Sequence, residues 1–228
     1  MIDALLGFLQ LLLGWDTTVF LTINSHHSAF WDNFMWIYSD KFTWVVMYAS
    51  FGYVMFRNFP LRATIFCLLA VVLLITLCDQ IASTLIRPYV ARLRPSNLDN
   101  PIAPLVHIVD GYRGGSYSFP SAHAANCWGT AFLVMFLFRR HALSFFMAFW
   151  ALVTCYSRLY LGVHYPGDLL VGMLIGLLNA ILVYRLLRFL LKRYANSYRP
   201  ENGPAVHIYA PVVTGILTML VILLLSLY

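Results

Sequence analysis

Three short segments of the chain concentrate residue types that can do chemistry. The first runs Arg87-Pro88-Tyr89-Val90-Ala91-Arg92-Leu93-Arg94-Pro95. The second is Phe119-Pro120-Ser121-Ala122-His123, and the third joins Ser157-Arg158 to His164-Tyr165-Pro166-Gly167-Asp168. Arg87, Arg94 and Arg158 offer forked guanidinium donors, which match the oxygens of a phosphoryl group. Pro120 is expected to open a helix at the position where a missing N–H costs nothing. The free amides of that first turn, with Ser121, then form an anion site. His123 and His164 supply what phosphoryl transfer needs beyond charge, a nucleophile and a proton donor. His164 and Asp168 lie four apart with Pro166 between them at an expected helix start. Asp168 can then hold one ring nitrogen of His164 and leave the other free to attack. No cluster of carboxylates stands ready for Mg²⁺ or Zn²⁺, so the expectation is a reaction with no metal and no cofactor. The arginines then give the electrostatic stabilisation themselves. Alone, each segment has an ordinary explanation, such as a snorkelling arginine or a helix cap. Their conjunction on one side of a membrane does not.

The elements that must position these groups are helices in a bilayer. The 228 residues are 61% hydrophobic and 11% charged, whereas soluble chains run near 45–50% and about 25%. The fold class expected is all-α, an integral membrane bundle of about six transmembrane helices plus an N-terminal interfacial helix, in a single domain spanning 1–228. Spans are expected near 30–56, 61–86, 120–138, 142–160, 167–190 and 208–227, each close to the ~20 residues that a hydrocarbon core requires. Asp40 and Lys41 make the first the least regular. Residues 1–24 carry a stripe (Leu5, Phe8, Leu9, Leu12, Leu13) that ends at Trp15-Asp16, too short to cross and suited to the interface. No signal peptide is evident, because Asp3 stands where a basic residue belongs and no small-residue cleavage site follows.

The net charge of +6 is scattered singly and in pairs between apolar spans, so no nucleic-acid footprint is expected. Arg57, Arg62, Arg139, Arg140, Arg185, Arg188, Lys192, Arg193 and Arg199, nine of the 15 basic residues, fall in loops on one face, which the positive-inside rule makes cytoplasmic. All three chemistry-bearing segments fall on the other face, as do both termini. Cys67, Cys78, Cys127 and Cys155 lie in apolar stretches with no CxxC spacing and read as small buried hydrophobes. Gly172 and Gly176 form a GxxxG that permits close helix contact.

The segments resemble the three signature motifs of the type 2 phosphatidic acid phosphatase (PAP2) family, K-x6-R-P, P-S-G-H and S-R-x5-H-x3-D. This chain reads Arg87-x6-Arg94-Pro95, Pro120-Ser121-Ala122-His123 and Ser157-Arg158-x5-His164-x3-Asp168. Arginine replaces the lysine of the first motif, and Ala122 replaces the glycine of the second; neither change removes a reacting group. The resemblance covers a core of about 60–190. It implies that His164 attacks phosphorus to form a phosphohistidine, that Asp168 orients it, and that His123 protonates the leaving oxygen and then activates water. Arg87, Arg94, Arg158, Ser121 and the amide of Ala122 would bind the phosphoryl oxygens. On this division of roles, activity peaks where His164 is neutral and His123 still protonated.

The resemblance further implies a lipid phosphate substrate at a bilayer, with the site outside a bacterial cytoplasmic membrane and no obligatory protein partner. Undecaprenyl diphosphate is the first substrate expected. A lipid A phosphate, phosphatidylglycerol phosphate and phosphatidate are alternatives, as is phosphotransfer from the same site. A transporter or scaffold would leave His123, His164 and Asp168 without a purpose, and a vanadate-dependent oxidase does not suit six spans. Asp79, inside the second span, is expected to pair with a motif arginine. Arg113 is a candidate contact for a second phosphate or head group, or a plain loop residue. Tyr112 and Tyr165 are candidates to line the entry.

Overall fold

The computed structural model describes residues 2–203 and 205–227, and among them the architecture is helical throughout. Nine α-helices run in chain order: α1 (Ile2–Asn24), α2 (Ala29–Ser39), α3 (Val45–Asn58), α4 (Leu61–Asp79), α5 (Arg87–Val90), α6 (Ala122–Phe138), α7 (His141–Tyr160), α8 (Pro166–Tyr194) and α9 (Ala210–Leu225). Three stretches, Leu61–Val90, His141–Tyr160 and Pro166–Tyr194, are long and apolar enough to cross a bilayer; α6 and α9 are apolar but shorter.

Local chemistry sets the boundaries. Ser28 caps α2 by accepting from the amide of Trp31 at 3.4 Å. The continuous span expected over 30–56 is instead two helices with a 3₁₀ turn, Lys41–Trp44, between them. Asp40 and Lys41 are the reason, since two adjacent charges favour a break that keeps both exposed. The second span does continue to residue 90, but through a π-helical segment, Gln80–Ile86. Pro88 explains it: a proline ring clashes with the carbonyl four residues back, and widening the turn relieves the clash. This re-phasing sets the direction in which Arg87 leaves the helix. Pro166 opens α8 at its first turn, as its spacing suggests.

Helix α1 departs from expectation. It does not stop at Trp15-Asp16 but continues to Asn24, because Asp16 has partners inside the protein and needs no water. Leu12 and Leu13 of the expected stripe are exposed; the side chains of Leu5, Phe8 and Leu9 lie outside the described residues. Asn24, 1% exposed, fastens the far end of α1. Its side chain accepts from the His107 amide at 2.7 Å and donates to the Tyr160 carbonyl at 2.8 Å.

The core of the bundle is the contact of α6 with α8. A Cβ on Gly176 would sit 2.6 Å from the Ala125 carbonyl and 2.7 Å from the Gly129 amide, and one on Gly172 would strike the Ser121 carbonyl. Only hydrogen fits at either position, so the GxxxG does mark a close crossing. Around this seam pack Leu133, Leu137, Met147, Leu187 and Leu191, all buried. The four cysteines are buried and free.

Candidate active site

The segments that carry the motifs meet at one end of the bundle. Arg87 leaves the end of the bent second span, Arg94 sits in the loop after α5, and His123 stands in the first turn of α6. Arg158 lies in the last turn of α7, and Asp168 in the first turn of α8. His164 occupies the short loop between those two helices and is 1% exposed.

His164 Nδ1 faces Asp168 Oδ2 at 3.4 Å, while its Nε2 lies 3.2 Å from Arg94 Nη1. A guanidinium has no acceptor, so Nε2 must carry the lone pair. The ring proton is therefore on Nδ1, toward the carboxylate. This tautomer puts the lone pair on Nε2, the nitrogen expected to attack. Burial, then the charges of Arg94, Arg158 and Arg87, hold the His164 pKa well below the usual value, so the ring is neutral at neutral pH.

Asp168, fully buried, is held on both oxygens. Its Oδ2 accepts from the Tyr165 amide at 2.9 Å and its Oδ1 from Arg92 Nη1 at 3.1 Å. Its backbone carbonyl accepts from the Ser121 amide at 3.0 Å, joining the second and third motifs directly.

The three motif arginines are anchored by their terminal nitrogens to the protein. Arg87 Nη2 donates to the Pro120 carbonyl at 2.9 Å and Arg94 Nη1 to the Val163 carbonyl at 2.9 Å. Arg158 donates to Ser39 Oγ at 2.8 Å and to the Tyr112 hydroxyl at 3.3 Å. Yet the Nε of each is buried without a protein partner, and these make three of the five such side-chain atoms among the described residues. An unpaired buried donor is costly. Three, on three like-charged side chains near two histidines, describe a site shaped for an anion with several oxygens. Burial, then Arg87 and Arg158, bring the Arg94 pKa down to about 10, still charged at neutral pH. A bound anion relieves that crowding.

The second motif is arranged differently from the expectation. Pro120 does not open the helix. It precedes the cap residue Ser121, follows a cis Phe119–Pro120 bond, and lends its carbonyl to Arg87. Ser121 Oγ caps α6 by accepting from the Ala124 amide at 3.3 Å. The amides of Ala122 and His123 are then the first-turn donors without a helical acceptor. Ala122 tolerates the place of the family's glycine because it has ordinary helical geometry there. His123, beside it in the first turn of α6, is an exposed residue.

The expectation for Asp79 is not met, and for Arg113 the loop alternative fits. Asp79 pairs with no arginine; its Oδ1 accepts from Ser83 at 3.4 Å, one helical turn on. Arg113 is bound back into its own loop, donating to the Ser96 carbonyl at 2.5 Å while Ser96 Oγ returns a bond to the Arg113 carbonyl. Tyr112 does belong to the site, through Arg158. Among the described residues no group of three or more His, Cys, Asp or Glu converges as metal ligands would.

The chain matches the PAP2 superfamily over residues 64–192, which takes in all three motifs. The chain belongs to that superfamily. Two relatives extend the likeness beyond the core. The lipid A 4'-phosphatase of Bacteroides thetaiotaomicron is 43% identical over 213 residues, covering 92% of this chain and 95% of that protein. The lipid A 4'-phosphatase of Porphyromonas gingivalis is 32% identical over 201 residues, covering 87% and 84%. The crystal structure of Aquifex aeolicus LpxE superposes with a TM-score of 0.56 at 22% identity, covering 74% of this chain and 94% of that one; at that identity the likeness speaks for the fold. The chain is thus a PAP2 phosphatase in a helical membrane protein. Arg92, Ser39 and Asp16 are the site residues that sequence reasoning passed over. Arg92 stands inside the first motif segment, where its proximity to Arg94 was a usable signal; Ser39 and Asp16 lie far upstream and gave none.

Proposed function

We propose that this protein removes the 4'-phosphate of lipid A by way of a phosphohistidine. The observation that carries the reading is the 43% identity to a lipid A 4'-phosphatase along 92% of the chain, well outside the motif core. It favours lipid A over undecaprenyl diphosphate, since the motifs bind a phosphate and do not distinguish the lipid behind it. His164 Nε2 attacks phosphorus, and the bond from phosphorus to the sugar oxygen breaks. His123 gives that oxygen its proton. Arg87, Arg94, Arg158 and the Ala122 amide hold the remaining oxygens as their charge grows. His123 then takes a proton from water, water displaces His164, and inorganic phosphate leaves. The excess of basic residues at the opposite end of the bundle supports a site on the periplasmic side of the cytoplasmic membrane.

The test is a substrate panel on the purified protein. Lipid A, undecaprenyl diphosphate, phosphatidylglycerol phosphate and phosphatidate are each incubated, with phosphate release and lipid mass measured. Lipid A losing one phosphate, from the 4' position, at a kcat/KM at least about tenfold above the others is the expected result. His164→Asn should abolish release while the protein stays folded. Preference for undecaprenyl diphosphate would overturn the substrate, and a near wild-type His164→Asn would overturn the nucleophile.

A further inference from the structure

Helix α1 lies wholly outside the matched family region, yet one of its side chains reaches the catalytic carboxylate. Arg92 Nη1 sits 2.7 Å from Asp16 Oδ2 and 3.1 Å from Asp168 Oδ1. The other oxygen of Asp16 accepts from the Gly167 amide at 2.7 Å, at the start of α8. A Cβ on Gly167 would lie 3.0 Å from Asp16 Oδ2, so the glycine lets the two helices meet. The central carbon of the Arg92 guanidinium sits over the Tyr165 ring, 3.7 Å from its centre. That ring is steadied by Phe20 of α1 at 5.4 Å and by a bond from Asn100 to its hydroxyl at 2.9 Å. None of the charged groups is fully open to solvent: the exposures are 13% for Asp16, 18% for Arg92 and 0% for Asp168.

We propose that Asp16 is a positioning residue for the nucleophile, acting through Arg92 and Asp168, so that α1 is a working part of the active site. The inference rests on His164 being the nucleophile. Its logic is one of alternating charge. If Arg92 paired with Asp168 alone, it would neutralise the carboxylate that must hold the Nδ1–H of His164. Asp16 shares the guanidinium and leaves Asp168 net negative charge to offer. When His164 becomes cationic on attacking phosphorus, the series Asp16, Arg92, Asp168, His164 alternates in sign from end to end. The Asp16 bond to Gly167 also fixes the turn on which Asp168 stands. The other charged and titratable groups around His164 are Arg87, Arg94, Arg158 and His123. They oppose its protonation or are themselves basic, so Asp168 is the carboxylate that supports it.

The test compares Asp16→Asn, Asp16→Glu and His164→Asn in the full-length protein in detergent, using a lipid A substrate and correcting rates for the folded fraction. Asp16→Asn should lower kcat by about tenfold, the size of coupling between groups in contact, with KM within about twofold. The acid limb of its kcat/KM profile should move to lower pH, because Arg92 would then draw on Asp168 alone and His164 would bind its proton less well. Asp16→Glu, which restores the charge, should recover part of kcat and return the limb toward its original position. An unchanged kcat in Asp16→Asn overturns the proposal. So does a loss that vanishes on correction for folded protein, or one with an unmoved acid limb. Either result alongside an inactive His164→Asn sinks the role of Asp16 alone. An active His164→Asn removes the nucleophile on which both readings stand.

Discussion

At the scale of the residue, the site is governed by which nitrogen of His164 is bare. Arg94 donates to Nε2, so on the proposed mechanism the attacking lone pair is held by a group proposed to bind phosphate. When a phosphoryl group enters, its oxygens are stronger acceptors than an imidazole nitrogen. On that mechanism the guanidinium would turn to them and release Nε2 where phosphorus arrives. Attack needs the neutral ring, and burial with three nearby guanidiniums lowers the His164 pKa well below 6.5. The neutral form therefore persists to lower pH than in a free histidine. The acid limb of kcat/KM that reports His164 should lie below pH 6.5. The same shift sets a sign for stability. Below pH 6.5 the unfolded chain takes up a proton at His164 that the folded chain refuses, so this group makes folding less favourable as the pH drops. An acid limb centred at or above pH 7 in a pH–rate series would contradict this assignment.

At the scale of the element, α6 and α8 carry the second and third motifs and their separation is set by glycine. Gly172 faces the cap residue Ser121 and Gly176 faces Ala125 and Gly129, so the seam fixes the distance from the Ala122 amide to Asp168. Gly176→Ala pushes a methyl group into backbone, where nothing can rotate away. It should cost about 1–3 kcal/mol and lower the Tm in detergent by several degrees. Activity should fall further than the folded fraction, because the two motifs move apart. A Tm and kcat equal to wild type would show that the helices have slack. These two helices were also the most legible part of the sequence. Pro166 marks the start of α8, Gly172 and Gly176 declare the close face, and apolar length gives the rest. The broken first span was half legible, since Asp40 and Lys41 announce an interruption without saying what replaces it. The π-helical segment before Arg87 could be traced to Pro88 only once the helix was seen to continue. Asp16 was misread as a stop because charge in an apolar helix signals water unless a partner is known. Its partners stand 76 and 151 positions away by subtraction of residue numbers (92 − 16 and 167 − 16). Local pattern holds no record of a pairing at that range. Asp79 shows the reverse: its place before Arg87 suggests a motif arginine as partner, and its hydrogen bond is to Ser83, one turn on.

At the scale of the whole molecule, the chemistry is gathered at one end of the bundle and the basic loops at the other. Arg139 and Arg140 follow α6 and Lys192 and Arg193 close α8, on the ends of those helices away from His123 and Asp168. That asymmetry is what supports the proposed periplasmic site. It makes a prediction that needs no substrate. All four native cysteines are buried, so an introduced surface cysteine should report its own side of the membrane. Leu98, 77% exposed in the loop beside Arg94, and His141, exposed at the start of α7, mark opposite ends. In intact cells whose outer membrane has been permeabilised, a charged maleimide unable to cross the inner membrane should label Leu98→Cys. It should leave His141→Cys unlabelled until the inner membrane is opened. The reversed pattern would put the phosphate site in the cytoplasm. It would mean that the nine basic residues at the other end do not set the orientation, and that the lipid must be dephosphorylated before it is exported.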